Sequence, residues 1–250
     1  MTSEPREVLA NIPGWESADI EPLTGGRMNR VYLVDGKFGM AVLKVDDTPQ
    51  ARPRNSRAEE AQVQSAAHEA GLAGRVLYHD ERCYITEYVS GTAWTDADLR
   101  DPAKLESLGV ALRRLHRIPA PARRFDALTA ARGYAASIDS RSATVATHLE
   151  TIAGVRSRND VCLCHNDLVA ANIVSTPELR FIDWEYACGN DPLFDLATVI
   201  VHHGLDESHI DSLMVAYAGR DWQALKARLD EQSRLYTSLL WLWEVATRNS

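Results

Sequence analysis

Apolar and polar positions alternate through the first third of the chain. IEPLTGG, RVYLVDG and FGMAVLKV each carry that alternation or β-branched residues, with glycine at the turns, which predicts strands of a small, mostly antiparallel sheet. The period changes over residues 57–70, RAEEAQVQSAAHEA, whose helix-forming composition is followed by Gly71 as a C-cap signal. RVLYHD and CYITEYV return to strand character. After Gly91 the texture becomes helical: Leu105, Leu108, Leu112 and Leu115 recur at spacings of three, four and three, one stripe on a helix that ends before Pro119. Residues 126–153 and those from Asp195 onward also predict helix, with short strands at VCLC, NIVS and LRFID. The shift of period places a lobe boundary near residues 90–95. The expected class is α+β: a small antiparallel-sheet lobe with one helix over residues 1–90, and a larger, mainly helical lobe over residues 91–250. There are no internal repeats or low-complexity segments.

Composition narrows what such a chain does. At 250 residues with 45% hydrophobic positions it fills a sizeable core. The net charge of −8, from 35 acidic against 27 basic residues, offers no basic field for nucleic acid or an anionic membrane, so a small molecule or a protein is the expected partner. No apolar run approaches the roughly 18 residues of a membrane span. The opening MTSEPREVLANIPGW carries acidic residues and no apolar signal region, so a cytoplasmic protein with no membrane partner is expected. The cysteines Cys83, Cys162, Cys164 and Cys188 form no CxxC pair, and reduced, buried thiols are expected. Cys162 and Cys164 share one face of a strand; they read as small core residues, because a zinc site needs three or four suitably spaced ligands. The eight histidines form no ligand constellation along the sequence.

The candidate chemistry centres on HNDLVAAN, residues 165–172. Alone, this is an Asx-rich turn as readily as a reactive loop. It also fits H-x-D-L-x-x-x-N, the catalytic-loop pattern of protein kinases, in which the aspartate takes the substrate hydroxyl proton and the asparagine holds magnesium. Asp167 and Asn172 occupy those positions. The loop lies between predicted short strands and is followed by FIDWEYA, where Asp183 stands as a second metal ligand. Upstream, AVLK ends a strand with Lys44, suited to the α- and β-phosphates of ATP, and the next helix offers Glu59 and Glu60 as its partner, Glu60 preferred. LTGGRMN puts Gly25, Gly26 and Asn29 in a turn whose backbone N–H groups can approach phosphate. ITEYV, at the lobe boundary, offers the Glu87 carbonyl and the Val89 amide to an adenine edge. A lysine strand, an acidic helix, a hinge, a D-x-x-x-x-N loop and a later aspartate follow the order that phosphoryl transfer needs.

LTGGRMNRVYLV, the helix with Glu60, CHNDLVAANIV and FIDWEYACGNDPLFDLATVI resemble the choline/ethanolamine kinase branch of the aminoglycoside phosphotransferase family, over about residues 14–243. The resemblance implies a protein kinase-like two-lobed fold and ATP- and Mg²⁺-dependent phosphorylation of a small molecule, with Asp167 as base, Asn172 and Asp183 on the metal, and Asp195 and His165 supporting the loop. Choline or ethanolamine is the implied acceptor, held among aromatic rings; the candidates are Trp184, Tyr186 and Trp243, with Glu185 and Glu244 as anionic complement or as solvated charges. On a helix Tyr236, Leu240 and Trp243 share a face while Trp241 points away. Leu240 stands where the family's choline enzymes often carry a second aromatic. The alternatives are a sibling kinase for thiamine, an aminoglycoside or a sugar, and an inactive kinase-like binding module. A monomer or homodimer is expected.

Overall fold

The computed structural model describes residues 4–23, 30–46, 55–138, 142–156 and 159–248. The chain opens with a helix that the periodicity did not announce, α1 (Pro5–Leu9), five residues long with proline in its first turn. So short a helix shows no repeat, and its apolar Val8 and Leu9 matter only once a sheet lies beneath them. That sheet consists of β1 (Asp19–Pro22), β2 (Arg30–Gly36) and β3 (Gly39–Val45), and, after α2 (Arg57–Glu69), β4 (Val76–His79) and β5 (Cys83–Glu87). It is antiparallel throughout, in the order β1-β2-β3-β5-β4. Strand alternation sends Ala41, Leu43 and Val45 of β3 into a core with Val8, Leu9, Ile12 and Trp15. Met40, Val42 and Lys44 therefore lie on the opposite face.

The helix α2 starts where Ser56 and Glu59 close a capping box: the Ser56 hydroxyl accepts from Glu59 N at 3.3 Å, and the Glu59 carboxylate accepts from Ser56 N at 2.9 Å. It stops at Gly71, whose φ of +72° is left-handed. β6 (Thr92–Ala93) then carries the chain from the sheet to the helical part, which contains α3 (Pro102–Leu115), α4 (Ala127–Ala135), α5 (Ala143–Ala153), β7 (Cys162–Cys164), β8 (Ile173–Ser175), β9 (Leu179–Phe181), β10 (Cys188–Asn190), α6 (Pro192–His202), α7 (Glu207–Ala218) and α8 (Lys226–Arg248). β6, β8 and β9 form a three-stranded sheet, and β7 pairs with β10. Residues 126–153, expected as one helical stretch, hold two helices, capped separately by Asp126 and Ser142. β6 escaped the sequence reading because it is two residues long, and β10 because Gly189 and Asn190 are residues that strands disfavour.

The architecture is two-lobed α+β, as the change of period implied. The predicted leucine stripe is wholly buried: Leu105, Leu108, Leu112 and Leu115 are each 0% exposed. It packs α3 against α7, close enough that a Cβ on Gly109 would lie 2.6 Å from the Leu213 carbonyl oxygen and 2.9 Å from the Ala216 Cβ. No helix among the described residues is long and apolar enough to cross a membrane.

Gly109→Ala separates helix propensity from packing. Propensity alone gains about 0.5–1 kcal/mol from removing a mid-helix glycine. Because the obstacle is backbone, the change is expected to destabilise instead, by about 1–3 kcal/mol, read as a lower urea midpoint.

Candidate active site

Lys44 is the penultimate residue of β3, on the face away from the core. Its Nζ donates to Glu60 Oε1 at 3.0 Å and to Asp183 Oδ1 at 2.6 Å. Glu59, the other expected partner, is spent on the helix cap. Glu60 is 0% exposed, a carboxylate that folding strips of water, and it needs both of its cationic neighbours. Arg57 donates from Nη1 to Glu60 at 2.6 Å and forks onto Asp46 at 2.6 and 2.9 Å. Burial works against the Lys44 charge, but Asp183 and Glu60 more than offset it and hold the lysine pKa above its ordinary value.

The HNDLVAAN loop is held from behind. The Asp195 carboxylate, 0% exposed on α6, accepts from His165 N at 2.9 Å, Asn166 N at 2.7 Å and His116 Nε2 at 3.0 Å. His165 donates from Nε2 to the Ile182 carbonyl at 3.0 Å, and burial lowers its pKa, so the ring is neutral and structural. The Ala170 N–H donates to His203 Nε2 at 3.2 Å, and His203 Nδ1 donates to Asp96 at 2.7 Å. Among the described residues the two non-glycine positive φ angles fall at Asn166 (65°) and Asp183 (67°). Asn and Asp tolerate that region best, at about 1–2 kcal/mol each, and here it turns the loop and presents the Asp183 carboxylate to Lys44.

The reactive face of the loop is acidic. Asn172 Nδ2 donates to the Asp167 carbonyl at 2.8 Å and to its Oδ2 at 3.1 Å, fixing the carboxylate and leaving the Asn172 amide oxygen turned elsewhere. Burial, then the Asp183 and Glu185 charges, push the Asp167 carboxyl up to about 7. Burial also acts on Asp183, but Lys44 prevails and keeps it below the usual carboxylate range. With its side chain 39% exposed, Asp183 is reachable by a ligand. One amide oxygen and one open carboxylate are hard donors of the kind Mg²⁺ takes, so the residues present fit that ion.

Asn55 ties the two lobes together at this point. Its N–H donates to the Glu185 carbonyl at 2.7 Å, its Nδ2 donates to the Trp184 and Ala187 carbonyls at 3.3 and 2.7 Å, and its Oδ1 accepts from Arg123 at 3.0 Å. The turn after Asp183 is thereby pinned to the start of α2.

Of the residues singled out in the sequence, Lys44, Glu60, Asp167, Asn172 and Asp183 converge. Gly25, Gly26 and Asn29 lie outside the described residues. Glu87 closes β5, and Val89 follows it into the connection to β6. Trp184 requires correction as an acceptor-site ring: it is 0% exposed, packs 4.8 Å from the His165 ring and donates from Nε1 to the Phe181 carbonyl at 3.1 Å. The apolar environment under the loop claims the whole indole, leaving no face for a ligand. Glu185 is buried and Tyr186 half-buried beside it. Trp243 is half-buried on α8, while Trp241 stacks on His148 at 4.5 Å. Tyr236 has its hydroxyl 3.0 Å from His202 Nδ1. Burial first and then the Asp167 charge raise the pKa of Tyr236; for Tyr186 burial, Glu185 and Tyr134 precede Asp167. Both hydroxyls thus stand in the field of the loop carboxylate. Asn55, His116 and His203 carried no local signal: each acts on residues remote in sequence.

A lysine, a buried glutamate, two aspartates and an asparagine assembled in this order are the substance of a phosphoryl-transfer site, and residues 19–228 match the profile of the phosphotransferase enzyme family, APH. The chain belongs to this family. A stretch of 89 residues, 32% of this chain and 33% of the relative, is 39% identical to Protein LicA of Haemophilus influenzae. The match thus spans about a third of that protein's length. Among solved structures, a choline/ethanolamine kinase family protein from Mesorhizobium loti is 25% identical, with a TM-score of 0.75 over 96% of this chain and 84% of that one. The choline kinase LicA from Streptococcus pneumoniae shares the fold at 20% identity, with a TM-score of 0.78 over 97% of this chain and 89% of that one. This APH chain thus shares its fold with both of these kinases over nearly its whole length.

The raised Asp167 carboxyl has a consequence for stability. Its folded value near 7 lies above the ordinary 3.8, so the folded state holds the proton more tightly and loses stability as pH rises from about 4 through 7. Asp167→Asn, neutral at every pH, is expected to melt above the wild type at pH 8 without ligands, with the gap closing towards pH 4. A gap independent of pH would contradict the assignment.

Proposed function

We propose that this chain transfers the γ-phosphoryl group of ATP to the hydroxyl of a small cation, choline ahead of ethanolamine. The observation that carries the reading is the convergence of Lys44, Glu60, Asp167, Asn172 and Asp183 across the junction of the two lobes. Residues 1–90 serve as the nucleotide lobe and residues 91–250 as the catalytic and acceptor lobe. Lys44, held charged by Glu60, faces the α- and β-phosphates. Met40 and Val42 share its face of the sheet, and Glu87 and Val89 meet the adenine edge. Asn172 and Asp183 would hold Mg²⁺, which would supply neutralising charge to the phosphates. Lys44 then exchanges part of its contact with Asp183 for phosphate.

Asp167 accepts the acceptor's hydroxyl proton as that oxygen attacks phosphorus. Its position is fixed by Asn172 and by the Asp195 brace behind the loop, and a base with a pKa near 7 suits proton transfer at neutral pH. All four groups whose loss marks an inactive kinase-like module are present, Lys44 bonded to Asp183 and Asn172 to Asp167. The acceptor assignment draws on the half-buried rings of Tyr186 and Trp243 with the Glu185 charge behind them: an anionic, aromatic surround attracts a permanent cation, each ring contributing about 0.5–2 kcal/mol. The burial of Trp184 removes one ring from that surround. The same acidic lining suits an aminoglycoside, which is the second reading.

An ATP-consumption screen with choline, ethanolamine, thiamine and aminoglycosides decides between them. Stimulation by choline and ethanolamine is expected; stimulation by an aminoglycoside or thiamine alone would leave the phosphotransferase assignment standing and overturn the acceptor. Asp167→Asn is expected to lose about 10²- to 10⁴-fold in turnover and Asp183→Ala to need far more Mg²⁺ or fail altogether. Trp243→Leu should raise the choline KM about tenfold, the equivalent of one ring worth roughly 1.4 kcal/mol, with little change in the ATP KM. Equal changes in both would assign Trp243 to packing.

A further inference from the structure

The strand β7 directs Cys162 and Cys164 to one side, with their sulfurs 3.7 Å apart. Two thiols alone make no metal site, but the fold supplies what the sequence did not. His116, at the end of α3, brings a ring nitrogen to them, and the three ligand atoms lie within 4.8 Å of one another. The imidazole is already oriented. Its Nε2 donates to Asp195 at 3.0 Å, which leaves the lone pair on Nδ1, 2.9 Å from the Tyr217 hydroxyl. A metal-bound histidine characteristically has its outer N–H held by a carboxylate in this way. The sulfur separation also fits, because two Zn–S bonds of about 2.3 Å at a tetrahedral angle place the sulfurs about 3.8 Å apart. Cys188 stands opposite Cys164 in the strand register, so the surroundings are rich in sulfur.

We propose that Cys162, Cys164 and His116 Nδ1 form a site for a thiophilic divalent cation, Zn²⁺ by its ligand chemistry, with a water or the Tyr217 oxygen in the fourth position. On binding, the two thiols release their protons to solvent and bind as thiolates. The site lies directly behind the catalytic loop. His116 bears on Asp195, and Asp195 on the backbone N–H groups of His165 and Asn166, so the cation would fix the ring that orients the loop's brace. It is separate from the magnesium ligands, which are oxygens only. With Cys162 8% and Cys164 0% exposed, the cation enters during folding or through local opening of the strand.

The test uses reduced, chelator-treated full-length protein titrated with Co²⁺, whose thiolate charge-transfer and tetrahedral d–d bands report sulfur ligation. The magnesium ligands cannot produce a sulfur band. One equivalent of Co²⁺, displaced by Zn²⁺, is expected for the wild type and for Cys83→Ser, whose thiol belongs to the other lobe. The Cys162→Ser/Cys164→Ser protein should show no sulfur band. A measurement on the wild type alone guards against a variant that fails to fold: Zn²⁺ should protect Cys162 and Cys164, but not Cys83, from alkylation mapped by mass spectrometry. Absence of the sulfur band in the wild type, its survival in the double variant, or alkylation indifferent to Zn²⁺ would each overturn the proposal.

Discussion

The site depends on one ammonium group. Lys44 lies between Glu60 and Asp183, and through it the sheet, the helix α2 and the segment after β9 share a single point. Remove the lysine and two carboxylates are left facing one another near the loop aspartate. Remove Glu60 and both Lys44 and Arg57 lose a buried counter-charge. A buried charge is tolerable only while its partners stay in place, so the arrangement around Lys44 also fixes how the two lobes meet. Asn55 reinforces the same junction through neutral hydrogen bonds.

A second layer works from behind the loop. The carboxylate of Asp195, the ring of His203 and the amide of Asn172 bind the backbone and the carboxylate of the HNDLVAAN segment. The loop is therefore rigid where it must be, although it carries strained backbone at Asn166. Its acidic face carries a stability cost: Asp167 is held near other carboxylates in a buried setting, which raises its pKa, as the proposed role of proton acceptor requires. Natural sites commonly trade stability in this way.

Much of the fold was legible in the sequence. The period-two pattern of the first strands, the glycine-stopped α2 and the leucine stripe of α3 are local signals, and local signals survive translation into structure. The site residues of short spacing also lie close in the fold: Asp167 and Asn172 share one turn of chain, and Asp183 follows within a short hairpin. The short elements α1, β6 and β10 gave no such signal.

The sequence by itself determined the lobes, the order of the chemical groups and the family resemblance, because each rests on neighbours along the chain. Only the tertiary structure decided how those groups are used. Lys44 meets Asp183 across 139 residues and Asn55 reaches Trp184 across 129, distances over which no periodicity carries information. Packing buried Trp184 under the loop, brought His116 to the two thiols of β7, and set the Asp167 carboxyl near neutrality. Burial and electrostatic fields are sums over everything nearby in space, and the chain supplies that neighbourhood only when it has folded.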